Sequence, residues 1–241
     1  FLSSAIFIVA DFYSTDDASI NLMLIFFPWV ALILVPALMM KSWPDEHSDR
    51  SVELVMTLPI SSMAIVFGKF FAGYLILLIT LLATLPFVIT IGYLGEPDFG
   101  AVFSGYFGLS LLLGVYCSLS LFCTALVREP VGSFVTSIGL LSVLLLLGWD
   151  VFGRFMKESI PSFIVDTIAL YSPYTWVTRM GQGIIEMNGL LFFILIGFIS
   201  LFLTCRVVEQ SRVIGTSAIQ HFKKFYSLFT FLVLFAVAIP F

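Results

Sequence analysis

Charge is what this chain has least of. Asp, Glu, Lys and Arg make up 11% of its 241 residues, against 60% apolar and aromatic residues. A soluble domain of that size has no interior large enough to hide so much apolar surface, so the composition excludes a water-soluble globule. The formal net charge of −4 then says little about partners, and no nucleic-acid partner is expected. Cysteine is scarce too. Cys117, Cys123 and Cys205 lie in or at the ends of apolar runs, which excludes a paired extracellular framework and shows no metal-ligand spacing. His47 and His221 stand alone on polar segments. No G-x-x-x-x-G-K-[ST] phosphate loop occurs, and Gly68-Lys69 falls inside an apolar run. With no Ser/His/Asp set, no H-E-x-x-H and no carboxylate pair at depth in a span, the chain is not expected to be an enzyme. No catalytic, cofactor or metal site is expected in it.

Long apolar runs are what the chain has in quantity. A spanning helix takes about 20 mostly apolar residues, and the sequence divides on that scale. Phe1 to Ala10 is too short to cross and, with no Met before it, reads as the tail of a span rather than a signal peptide. Spans are expected at Ile20 to Met40 (with Pro28 and Pro36 inside), Met63 to Tyr93, Ala101 to Val127, Val131 to Trp149 and Gly189 to Arg206. Phe225 to Phe241 reads as the opening of one more, so five spans are complete and two partial. Helices are expected throughout, because lipid leaves backbone polar groups no outside partner and the periodicity is not that of a barrel.

Basic residues sort the connections into two sides. Lys41, Arg50, Lys69, Arg128, Arg206, Arg212, Lys223 and Lys224, eight of the eleven, fall on one side. By the positive-inside rule that side is cytoplasmic. The segment Asp150 to Asn188, with Arg154, Lys157 and Arg179, then faces outward. No ionisable residue sits near the middle of a span, which disfavours proton or cation coupling. Thr80, Thr84, Ser118, Ser137 and Ser142 occur there instead, a pattern of helix–helix contacts first and of an amphipathic cargo path second. Ser110, Gly114 and Ser118 repeat every fourth residue, which permits close helix packing within the subunit.

One polar island interrupts the apolar runs on the inner side. From Lys41 to Ser61 it reads as a capped helix, with Ser42 and Asp45 at capping-box spacing and Pro44 in the first turn. Glu46, Arg50 and Glu53 can pair along one face, while Val52, Val55 and Met56 line another and Leu58-Pro59 ends it. From local physics alone this is as much an interfacial tuck as a docking helix. On the outer side, Ile160 to Tyr171 reads as amphipathic, Ser172-Pro173 as its break, and Arg179 and Glu186 as one helical face. Tyr174, Trp176 and Trp149 suit an interface.

Several of these runs resemble a known family. A span ending Val35-Pro36-Ala37-Leu38, the acidic helix, Val52-Glu53-Leu54-Val55-Met56-Thr57-Leu58-Pro59-Ile60-Ser61 and Ile65-Val66-Phe67-Gly68-Lys69-Phe70 look like the ABC-2 type permeases. Within them the chain is most similar to the gliding-motility GldF-like branch. Leu170-Tyr171-Ser172-Pro173-Tyr174, Arg179-Met180-Gly181-Gln182-Gly183-Ile184-Ile185 and Phe202-Leu203-Thr204-Cys205-Arg206 extend the likeness over nearly all of 1–212. Arg50-Ser51 stands where that branch often has Gly-Thr, which leaves the shape of the island helix open.

The resemblance implies an all-α, six-span ABC-2 (type V exporter-like) domain over 1–212, with a joint and the start of a seventh helix over 213–241 that either leads into a fused periplasmic domain or is a family extension. It implies a cytoplasmic coupling helix that docks on an ATPase, carried by Trp43, Asp45, Glu46, Arg50, Glu53, Val55 and Met56. It also implies an extracytoplasmic re-entrant hairpin carrying Pro173, Tyr174, Trp176, Arg179 and Glu186. Implied partners are two copies of an ABC ATPase subunit that binds the ATP, a second permease subunit, a periplasmic-domain protein and membrane lipid, in a bacterial inner membrane. The function implied is a permease coupling ATP hydrolysis elsewhere to export or to mechanical work. A membrane scaffold or anchor and a lipid-acting membrane enzyme are the alternatives.

Overall fold

A computed structural model describes residues 21–43, 61–94, 98–127, 129–157 and 161–214. Among the described residues the secondary structure is entirely helical. The helices are α1 (Asn21–Met39), α2 (Ser62–Leu82), α3 (Leu85–Leu94), α4 (Phe99–Leu126), α5 (Pro130–Leu147), α6 (Asp150–Lys157), α7 (Ser162–Ala169), α8 (Pro173–Gly181) and α9 (Met187–Ile214). Four of them are long and apolar enough to cross a membrane: α2, α4, α5 and the Met187–Glu209 part of α9. The apolar part of α1, Met23–Met39, is shorter.

Helix ends follow local chemistry. Ser61 Oγ accepts the Ala64 N–H at 3.3 Å and starts α2. Asp98 Oδ1 accepts the Gly100 N–H at 2.8 Å and starts α4. Pro130 occupies the first turn of α5, where its missing N–H costs nothing.

The fold is built around α4. Its 28 residues make a rod about 42 Å long, and α1, α2, α5, α8 and α9 all pack on it. Buried side chains from Val102 to Thr124 occupy every face, as expected of a helix that is apolar all round. Small residues let the neighbours close in. A Cβ on Gly114 would lie 3.5 Å from the Tyr74 ring of α2, and the Tyr74 hydroxyl donates to Ser110 O at 3.2 Å. The Ser110/Gly114 repeat is therefore a contact within the subunit. The outer faces of the bundle stay apolar: Ile33, Ile79, Val135 and Phe198 are each more than half exposed, a surface suited to lipid.

Two expectations need correction. The single span from Met63 to Tyr93 is two helices, broken at Ala83–Thr84. Pro86 has no N–H to bond Leu82 O and its ring crowds that carbonyl, so one unbroken helix is disfavoured there, and α2 closes with a tightened turn, Thr84 N–H to Leu81 O at 3.0 Å. The Thr84 hydroxyl caps the break by donating to Leu81 O at 2.6 Å and lies 2.9 Å from the Tyr106 hydroxyl of α4. Second, Arg179 and Glu186 do not share a helical face. Gly181 ends α8, Gly183 turns the chain at φ +85, and α9 begins at Met187.

Candidate functional site

The two ends of the bundle carry different chemistry. At the end where α1 finishes and α2 and α5 begin, three helices are tied together by polar contacts. The last turn of α1 leaves carbonyls without partners in the helix. Ser133 Oγ of α5, fully buried, has two carbonyl acceptors for its one proton, Pro130 O of its own helix at 2.8 Å and Met40 O at 3.1 Å. The Lys69 ammonium of α2 donates to Ser42 O and sits 3.9 Å from the centroid of the Trp43 ring. Trp43 itself is buried, at 5% exposure. A lysine is costly in an apolar helix; here its charge meets the negative end of α1 and an aromatic face together. Lys69 thus does more than reach for headgroups.

Trp43 is the one coupling-helix candidate that the described residues include. Asp45, Glu46, Arg50, Glu53, Val55 and Met56 lie outside them. The sequence marks Lys69 only as an inner-side basic residue within the family-like run, and Ser133 not at all. The available signal was Lys69 as the lone charge between Ser62 and Leu94.

At the opposite end, the described residues between 150 and 181 hold three short helices, α6, α7 and α8. α6 and α7 pair through Lys157 and Asp166, 2.6 Å apart. α8 sinks into the bundle against α1, α4 and α5. Ser172 Oγ accepts the Tyr174 N–H at 3.2 Å and also donates to Leu144 O of α5 at 2.7 Å. The Trp176 indole N–H donates to Leu170 O at 2.8 Å, folding α8 back on the turn before it. Ser104 Oγ of α4 donates to Met180 O at 2.6 Å.

Pro173, Tyr174 and Trp176 are consequently buried, while Arg179 and Glu186 are about 40% exposed. One Arg179 nitrogen contacts both Glu186 oxygens, at 3.1 and 3.2 Å, and the guanidinium carbon lies 5.2 Å from the Trp176 ring centroid. All five outer candidates therefore meet in one structure. A Cβ on Gly189 would fall 2.7 Å from the Trp176 ring, so the start of α9 is pressed against it.

The hydroxyls inside the spans bond mostly to their own helices. Ser118 donates to Val115 O, Thr124 to Leu121 O, Ser137 to Ser133 O and Thr204 to Ser200 O, each at 2.7–2.9 Å. Among the described residues no cluster of three His, Cys, Asp or Glu could hold a metal ion.

An α-helical bundle with an apolar outer surface, a buried central rod and polar ties at its two ends defines a multi-pass membrane protein. A family model described as ABC-2 family transporter protein matches residues 4–240. The chain belongs to that family, whose members are membrane components of transporters. No curated protein and no solved structure matches it.

Proposed function

We propose that this chain is the permease subunit of an ATP-binding-cassette transporter, coupling ATP hydrolysis on a separate subunit to export or to mechanical work on an extracytoplasmic partner. The observation that carries the reading is the family match over 4–240. The inner end of the bundle suits it: the polar segment after Trp43 leaves a point where α1, α2 and α5 are tied. In this reading 44–57 docks on the ATPase, with Glu46, Arg50 and Glu53 as its polar contacts, and buried Trp43 marks where that segment leaves the bundle. α7 and α8 form the outer hairpin that lids the pathway. The working unit holds two permease subunits of six spans and two ATPases in a bacterial inner membrane. Its branch is the GldF-like one, in which a periplasmic-domain partner receives the work.

Co-purification from native membranes tests this, comparing the wild-type chain with Glu46→Arg plus Glu53→Arg. An ATPase subunit should accompany the wild type and be lost from the double reversal. If none accompanies either protein, the chain is a scaffold or a lipid-acting protein instead.

A further inference from the structure

The ties at the inner end of α1 bear directly on how a docking segment would be held. Met40, Ser42 and Trp43 from α1 and the turn after it, Lys69 from α2 and Ser133 from α5 meet there. The next residue in sequence after Trp43 is Pro44, where the polar segment begins. At its far end that segment returns to Ser61, the cap of α2. Lys69, two turns further along α2, reaches back to the departure point. Its hold includes a charged hydrogen bond to Ser42 O and a cation–π contact with the Trp43 ring.

We propose that Lys69 is a positioning residue for energy coupling: it fixes the direction in which the docking segment leaves α1 and ties both ends of that segment to α2. The inference rests on the ATPase-docking reading above. A lysine that served only as an interfacial anchor would be replaceable without effect on docking. A positioning lysine would not, because a neutral side chain leaves Ser42 O and the ring without their cation.

The experiment uses the full chain purified from native membranes with 5-fluorotryptophan incorporated. The Trp43 fluorine resonance is assigned by its loss in Trp43→Phe. Lys69→Met keeps the apolar stem and removes the charge; Lys69→Arg keeps the charge. Lys69→Met is expected to shift the Trp43 resonance and to lower the co-purified ATPase about tenfold, the scale of one lost hydrogen bond to a charged group. Lys69→Arg should restore most of the ATPase.

An unshifted resonance in Lys69→Met overturns the contact. A shifted resonance with undiminished ATPase overturns the positioning role. If Lys69→Met does not accumulate, Trp43→Leu removes the other half of the contact. The same loss of ATPase is then expected, and undiminished ATPase overturns the role. Failure of the broader reading has its own signature, since the wild type would already lack an ATPase.

Discussion

The closest approach between helices offers the sharpest test of the packing. At the α8 end of the bundle Leu24 of α1, only 3% exposed, lies between Gly105 of α4 and Gly181 of α8. A Cβ on Gly105 would lie 3.1 and 3.2 Å from the two Leu24 methyls and 3.6 Å from Gly181 Cα, and a Cβ on Gly181 would collide with Leu24 outright. Overpacking of this kind costs about 1–3 kcal/mol. Alanine's advantage of about 1 kcal/mol over glycine belongs to helix interiors, and Gly181 is the last residue of α8, so Gly181→Ala should destabilise by nearly the full overpacking cost, about 1–3 kcal/mol. Leu24→Ala alone should cost about 2–5 kcal/mol by opening a cavity. Combined, the new methyl fills part of that cavity, and the double variant should beat the sum of the singles by about 1 kcal/mol. Unfolding in mixed micelles at rising dodecyl sulfate fraction, followed by tryptophan fluorescence, reads all three. Gly139→Ala and Gly197→Ala are the controls, because a Cβ at either position has nothing within 4 Å. They should be neutral or slightly stabilising. If Gly181→Ala matches the wild type and adds independently to Leu24→Ala, the three helices do not meet as described.

Two further outcomes are expected. In a double-mutant cycle with Arg179→Gln and Glu186→Gln, the coupling should be about 0.2–1 kcal/mol, since both groups are partly exposed, and should shrink at high salt; coupling unchanged by salt would count against this pairing. Thr84→Val and Tyr106→Phe each remove one side of the hydroxyl contact at the α2–α3 break and should each cost about 0.5–1.5 kcal/mol. Together they should cost no more than the worse single variant in the same unfolding assay, and full additivity would show that the two hydroxyls do not meet.

Helix ends set by neighbouring residues were open to reading from the chain. The start of α4 at Asp98, the start of α5 at Pro130 and the break at Ser172-Pro173 each depend on a side chain within three residues of the backbone group it serves. The α2–α3 break depended on one more term. A proline such as Pro86 inside an apolar run marks a bend or a break, and the two differ in what receives the freed groups. Here the Thr84 hydroxyl takes Leu81 O, and Tyr106, 22 residues away in sequence, steadies the Thr84 hydroxyl.

The two candidate regions show the same limit at greater range. The break at Ser172-Pro173 was legible because a capped proline turn has a local signature; the burial of Tyr174 and Trp176 inside the bundle was not. The seven-residue spacing of Arg179 and Glu186 suggested the right partners through the wrong geometry: a helix would put them on one face, and a chain reversal at Gly183 brings them together instead. Spacing cannot distinguish a continued helix from a turn when the turn hangs on one glycine φ angle. Lys69 stayed opaque because its partners sit 26 and 27 residues earlier, across a polar segment. Hydropathy records that a lone charge is costly; what offsets the cost is set by which helix end it meets. A charge inside an apolar run is therefore best read as a question about the nearest free helix terminus, and here the answer is the end of α1.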